Sequence, residues 1–288
     1  MRRRDFLWSA PALSGLAAAA VARAAPEAAP APPKSGRARS IIFMVADGMS
    51  TGTLTLADLA RRERSGHASR WVSLWEVPGV VRSTSRTHAA DSLVTDSSAA
   101  ASTWGIGRKI NNGVVNITPD GVEHEPILVT ASKAGLATGL VTTTRVTHAT
   151  PAGFIANVPS RDMEKEIAPQ LLDRRVDLVL GGGERYFPPE LLARHPDLTT
   201  VRSRGDLELA SLDVGTGRQG AGRLLGLFGR DHVQWALDRG PSIPSLSDMT
   251  RAALTRLTRS PRGFILQIEG GRVDHAAHHN DAGSLIAE

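Results

Sequence analysis

The chain contains no cysteine among its 288 residues. No disulfide can brace it, and stability must come from its core, from metals or from an interface between copies. Any zinc must be held by His, Asp or Glu. Aromatic residues make up 4%, with a single Tyr, and no dense Lys/Arg stripe occurs. A nucleic-acid partner is therefore not expected. There is no Gly-x-Ser-x-Gly elbow, which argues against an α/β-hydrolase triad. The apolar run Trp8–Val21 is too short and too Ala-rich for a membrane-spanning helix. No stable membrane anchor is expected once the leader is removed.

That run has a context. Residues 1–24 open with charged Met-Arg-Arg-Arg-Asp-Phe-Leu and close on Ala22-Arg23-Ala24. A charged start, a short apolar middle and a small-x-small end describe a secretory leader. Arg-Arg-x-Phe-Leu is its twin-arginine form, which predicts export to the periplasm or the medium. Residues 25–38 read as a Pro/Ala linker, and residues 39–288 as one catalytic domain. The leader carries four Arg and one Asp, so only +2 of the net charge of +5 belongs to the rest.

Hydrophobic residues make up 41% and charged residues 22%, ordinary for a globular protein with a sizeable core. Short apolar runs alternate with amphipathic stretches. The pattern predicts an α/β fold, an open and largely parallel β-sheet sandwiched between helices. Ile41–Ala46 is wholly apolar and predicts a buried central strand. Helices are expected at Thr51–Arg64, from about Ser97 to Trp104, at Pro126–Ala134, Arg161–Arg174 and Ser247–Thr258. Strands are expected at Thr138–Thr144, Val176–Leu180 and Gly263–Ile268, with Gly181-Gly182-Gly183 as a turn. Pro188–Pro244 reads as an irregular, loop-rich connection. Asp281–Glu288 reads as the first turns of a helix with no stop signal, the pattern expected of a chain cut within an element.

In such sheets ligands gather beyond the carboxyl ends of the strands. Asp47 follows the first strand and Glu269 follows the strand ending at Ile268. Ser97, in Thr95-Asp96-Ser97-Ser98-Ala99, sits where a loop meets a helix. It reads either as an N-cap or as a nucleophile whose anion and bound phosphate are favoured by the helix N-terminus. Asp274 and His278 lie four apart, so one helical turn puts both on one face, where they could grip zinc. The other reading of that segment is a solvated His-rich loop. Arg161, in Val158-Pro-Ser-Arg161, could clamp phosphate oxygens or simply be solvated. Thr150, in Thr147-His148-Ala149-Thr150-Pro151, could ligate magnesium or serve only as a turn residue.

Taken together, Val45-Ala-Asp47-Gly-Met, Val94-Thr-Asp96-Ser97-Ser-Ala, Thr147-His-Ala-Thr150-Pro, Val158-Pro-Ser-Arg161 and Ile268-Glu269 through His278 resemble the alkaline phosphatase family, from about Ser40 to Glu288. The resemblance implies hydrolysis of phosphate monoesters through a phosphoserine at Ser97, with Arg161 holding the phosphoryl oxygens. It implies two zinc ions and one magnesium. Asp47 would bridge the second zinc and the magnesium, Thr150 and Glu269 would ligate magnesium, and Asp274 and His278 would ligate the first zinc. His148 and His275 stand where members carry either acidic or Lys residues, or His. They imply an altered magnesium site, with His148 among the groups around the metals. Members are commonly homodimers. The family's remaining zinc ligands come from later in its sequence, so turnover is expected of a longer protein. The sulfatase context, Cys or Ser followed by x-Pro-x-Arg, is missing at Ser97, and a phosphodiesterase would more often carry Thr there. A chain that binds metal or phosphate without turnover is the remaining alternative.

Overall fold

The computed structural model describes residues 38–212 and 222–288. The twin-arginine leader, and the Pro/Ala linker up to residue 37, lie outside the described residues. A single sheet is built from β1 (Ile41–Ala46), β2 (Ala137–Arg145), β3 (Leu178–Gly182), β4 (Leu198–Val201), β5 (Arg223–Leu227) and β6 (Phe264–Gly270). Its spatial order is β1-β6-β2-β3-β5-β4, and every pairing is parallel. The helices are α1 (Thr51–Ser65), α2 (Arg70–Ser73), α3 (Ser97–Ile106), α4 (Ile127–Lys133), α5 (Ala149–Gly153), α6 (Glu164–Asp173), α7 (Pro189–Ala193), α8 (Arg204–Leu212), α9 (Leu246–Leu257), α10 (Arg272–His278) and α11 (Ala282–Ala287).

Strand residues alternate between two cores, as the two-residue period of a strand requires. Leu140, Val179, Leu225 and Ile265 pack on one face with Leu128 of α4 and Ile167 and Leu171 of α6. Val141, Leu178, Leu180, Leu224 and Leu266 pack on the other with Leu207 of α8 and Met249 and Leu257 of α9. Burying both faces explains why β3, β5 and β6 are buried along their whole length.

Four expectations need correction. β1 is not central. It pairs with β6 alone, at the sheet edge, and leaves Ile41 50% and Met44 64% exposed. An apolar run records what a strand must cover, not which neighbours it has. Gly181 and Gly182 belong to β3, and the turn glycine is Gly183, at φ 96°. A Cβ on Gly182 would lie 2.1 Å from the Asp231 carbonyl oxygen. Glycine is needed there for close approach of two backbones rather than for a turn. Residues 188–244 are not merely loop-rich: they include α7, β4, α8 and β5 and add two strands to the sheet. β5 was disguised by Arg223, which is buried against Asp197 and the Leu172 carbonyl. Lastly, α6 begins at Glu164, so Arg161 lies in the preceding turn.

Candidate functional site

Parallel strands bring their carboxyl ends to one edge, and β1, β6 and β2 meet side by side there. Asp47 follows directly on β1. Glu269 lies within β6, one residue further into the strand than its apolar run suggests, in register with Thr142 of β2 and Val45 of β1. Gly48 makes the turn after Asp47 at φ 62°, and a Cβ there would fall 2.4 Å from Asp274 Oδ1. That bare turn lets Asp274, from α10, come close beside Asp47.

Ser97 is the first residue of α3, but it is not the cap. Asp96 caps the helix, accepting from the Ala99 N–H at 2.9 Å. The Ser97 hydroxyl is thereby left over, and it donates to both oxygens of Asp47, at 3.2 and 3.1 Å. Asp96 also accepts from Ser98 and from Arg161 Nη1, the latter at 2.9 Å. Burial pushes Asp96 up, yet these donors together hold its carboxyl below the ordinary range. Arg161 is further fixed by its backbone N–H, which donates to the Gly113 carbonyl at 2.7 Å, and its Nη2 lies 3.3 Å from His148 Nε2. The guanidinium therefore sits over the N-terminus of α3, beside Ser97.

Glu269 is fully buried. Its Oε2 accepts from the hydroxyls of Thr142 and Thr144, while Oε1 lacks a hydrogen bond of good geometry. Burial, and then the negative charge of Asp47, push its carboxyl up to about 7, against the pull of the Thr142, Thr150 and Thr144 hydroxyls. Asp47 is raised as well, by burial and then by Asp274. Three acids thus crowd together with a shortage of positive charge. His148 stands just before α5 without capping it, and its Nδ1 is buried without a partner. One ligand atom each from Asp47, His148 and Glu269 lie within 4.8 Å of one another, the one such group among the described residues. Two acids and an imidazole gathered so closely, with a carboxylate oxygen of Glu269 and a ring nitrogen of His148 each lacking a partner, fit a divalent cation.

Asp274 and His278 do share one face of α10, with Oδ1 and Nε2 3.5 Å apart, and His278 is 76% exposed. Sequence reasoning offered His232, with His279 and His195, as a zinc ligand that no motif supported, and it left out Arg145, Glu164 and Asp231. His232, from the segment taken as a loop, packs its ring 4.4 Å from that of His275 and 5.6 Å from that of His148. Burial depresses all three imidazoles. His232 falls to about 3, with Arg145 next in effect, and His275 to about 4, with Arg272 next. His148 goes well below the usual imidazole value, with Arg161 next. Asp96, already present in the Ser97 motif, and Arg145, Glu164 and Asp231 complete the surroundings. No local spacing signalled the last three, because Arg145 meets Glu164 and Asp231 across 19 and 86 residues.

Comparison with known proteins gives one consistent answer. A sequence model of the family described as alkaline phosphatase matches residues 38–288. Alkaline phosphatase 4 of Bacillus subtilis is 31% identical over 87% of this chain and 55% of its own length. The crystal structure of Thermus thermophilus alkaline phosphatase superposes with a TM-score of 0.76 at 38% identity, over 86% of this chain and 53% of that one. A mutant alkaline phosphatase from TAB5, solved with Mg bound, shares the fold at a TM-score of 0.69 and 23% identity, over 86% of this chain and 68% of its own. The chain spans about half the length of the Bacillus and Thermus proteins.

Proposed function

The chain belongs to the alkaline phosphatase family, and on that premise we propose that it carries the nucleophile half of a phosphomonoesterase site. The observation that carries this reading is the Ser97 hydroxyl aimed at Asp47, at the N-terminus of α3 and under the Arg161 guanidinium. In the first step Ser97 Oγ attacks phosphorus as the bond from phosphorus to the substrate alcohol oxygen breaks. The hydroxyl proton leaves along the hydrogen bond toward Asp47 and passes by way of solvent to the departing oxygen, so the alcohol leaves neutral and Asp47 is again a carboxylate. Water then splits the phosphoserine, returning the Ser97 hydroxyl and releasing phosphate. The free N–H groups at the start of α3 and the fork of Arg161 bind the phosphoryl oxygens and hold them in line. Asp96 fixes that fork by accepting from Nη1, leaving its other donors for the substrate.

The donor set supports metal dependence. Asp47, Thr150 and Glu269 would hold magnesium, Asp274 and His278 one zinc, and Asp47 would also face a second zinc. Bound there, such ions would lower the pKa of the attacking oxygen and stabilise charge on the leaving one. His148, with a ring nitrogen close to Asp47 and Glu269, adds nitrogen to an otherwise oxygen site, so magnesium would be held there less tightly than by oxygen donors alone. Among the described residues, no helix is long and apolar enough to cross a membrane. Export to the periplasm or the medium rests on the Arg-Arg-x-Phe-Leu leader, and homodimer formation on the family alone.

A second reading, binding of metal or phosphate without turnover, is favoured by the exposure of His278, which with Asp274 would give the first zinc only two ligands. Hydrolysis of an aryl phosphate monoester, with zinc and magnesium supplied, separates the two. Turnover that falls at least about 10³-fold in Ser97→Ala supports the enzyme. Turnover on diesters or sulfates alone, or none from folded, zinc-loaded protein, overturns it.

A further inference from the structure

Beside the candidate site lies a charge cluster, buried except for the half-exposed Asp231, to which the proposed chemistry gives no task. Arg145, the last residue of β2, has a side chain only 15% exposed, and Glu164, the first residue of α6, one 7% exposed. The Arg145 fork grips Glu164 through Nε at 2.8 Å and Nη2 at 2.7 Å. Its Nη1 reaches Asp231 Oδ1 at 2.7 Å and His232 Nε2 at 2.6 Å. The Arg145 backbone N–H approaches the other ring nitrogen, Nδ1, at 3.2 Å. A neutral imidazole has a single acceptor nitrogen, so the ring is addressed from both sides by donors it can satisfy only one at a time. Glu164 has a second task. Its Oε2 accepts from the Thr147 hydroxyl, one residue before His148.

A buried ion pair is a poor source of stability, since the cost of removing two charges from water roughly cancels their attraction. What such a planar, bidentate arrangement does supply is orientation. Here it ties together three segments remote in sequence: the end of β2, the start of α6 and the segment Asp231–His232. Both ends of the Arg145–Thr147 stretch are pinned, immediately before His148 and Thr150. His232 is held where its ring meets that of His275.

We propose that Arg145 is a positioning residue. Its guanidinium, fixed between Glu164, Asp231 and His232, sets the turn that carries His148 and Thr150 and the ring that packs on His275. The proposal rests on the functional reading above for the meaning of the site, but not for its geometry. Arg145→Lys keeps the charge and removes the fork. Glu164→Gln keeps the volume and removes the charge that the fork grips, and it serves as the second variant should Arg145→Lys fail to fold. Arg175→Lys, at a surface pair with Asp197, is the control.

The first readout is the histidine ring 1H–15N spectrum of the 288-residue chain in chelator. The resonances of His148, His232 and His275 are expected to move together in both site variants and to stay put in the control, while the cooperative melt is retained. The second is calorimetric titration with Mg2+, whose affinity is expected to fall about 10- to 100-fold, the usual effect of losing a ligand's support. A folded Arg145→Lys or Glu164→Gln protein whose three rings keep their wild-type resonances overturns the proposal. Rings that move in a chain whose wild type takes up no Mg2+ leave the positioning role standing and overturn the magnesium assignment instead.

Discussion

Glu269 offers a quantitative test of the electrostatics. Its carboxyl is fully buried and raised from an ordinary 4.5 to about 7. The unfolded chain releases that proton near pH 4.5, whereas the folded chain keeps it to about 7. The stability attached to the held proton is complete below pH 4.5 and is lost as pH rises to 7. At 1.36 kcal/mol per pKa unit, the loss is about 3 kcal/mol. His148, His232 and His275 act in the opposite sense. Their lowered pKa values mean that the stability they confer is complete above about pH 6.5 and lost as pH falls. A wild-type profile alone therefore mixes the two, with three histidines masking the single carboxyl below about pH 6.5. Glu269→Gln isolates the first, because the histidine contribution is common to both proteins. Urea denaturation in chelator, at pH 4.5 and at pH 7.5, should show the stability of wild type minus variant falling by about 3 kcal/mol. With a urea slope near 3 kcal/mol per M, that is about 1 M in relative midpoint. Magnesium at about 100 times its dissociation constant should restore about 2.7 kcal/mol of it at pH 7.5, since the cation takes over the role of the proton. A difference that does not change with pH would refute both the burial and the crowding of acids on which the metal reading stands.

The glycines give two further tests. Gly182→Ala places a Cβ 2.1 Å from a backbone oxygen, and backbone cannot swing aside. A loss of about 1 to 3 kcal/mol, or about 2 to 12 °C in Tm, should be measured by calorimetry, and an unchanged Tm would contradict the packing of residues 231–233 on β3. Gly48→Ala combines a left-handed backbone with a contact to Asp274. It should cost about 1 to 3 kcal/mol and weaken zinc binding in calorimetric titration, by displacing Asp274, while leaving Mg2+ binding at Glu269 less affected. Equal losses for both ions would show that Gly48 supports the whole edge rather than Asp274 alone.

What could be read from the chain was what is local in it. Asp274 and His278 meet because four residues make one helical turn, and that spacing is visible without a fold. Asp47 and Glu269 were legible because apolar runs end beside them. Ser97 was placed at a helix start, with cap and nucleophile both open. The geometry of Asp96 with Ala99 gives the cap to Asp96; the nucleophile is the proposal made above. Arg145 and His232 are 87 apart in sequence, and each looks like an ordinary surface residue in its own neighbourhood.

β1 shows the same limit in its plainest form. Six apolar residues in a row predicted a buried central strand, and this one is an edge strand left largely open. β6 covers one edge, while Ile41, Ile42 and Met44 stay open and α1, which follows Asp47, buries none of its residues. Hydrophobicity is a property of the residues, whereas burial is a property of pairs, and strand order is set by pairs. Parallel strands next to each other in a sheet come from distant stretches of chain, as β1 and β6 do, so periodicity can name the elements and still misplace them. The site inherits this asymmetry. Asp47 follows the least covered strand and Glu269 lies in a completely buried one, so these two acids are held by a sheet that is firm on one side only. Divalent cations binding there would join β1 to β6 more tightly than their backbone ladder does alone, which makes the site's chemistry and the integrity of this edge a single physical matter.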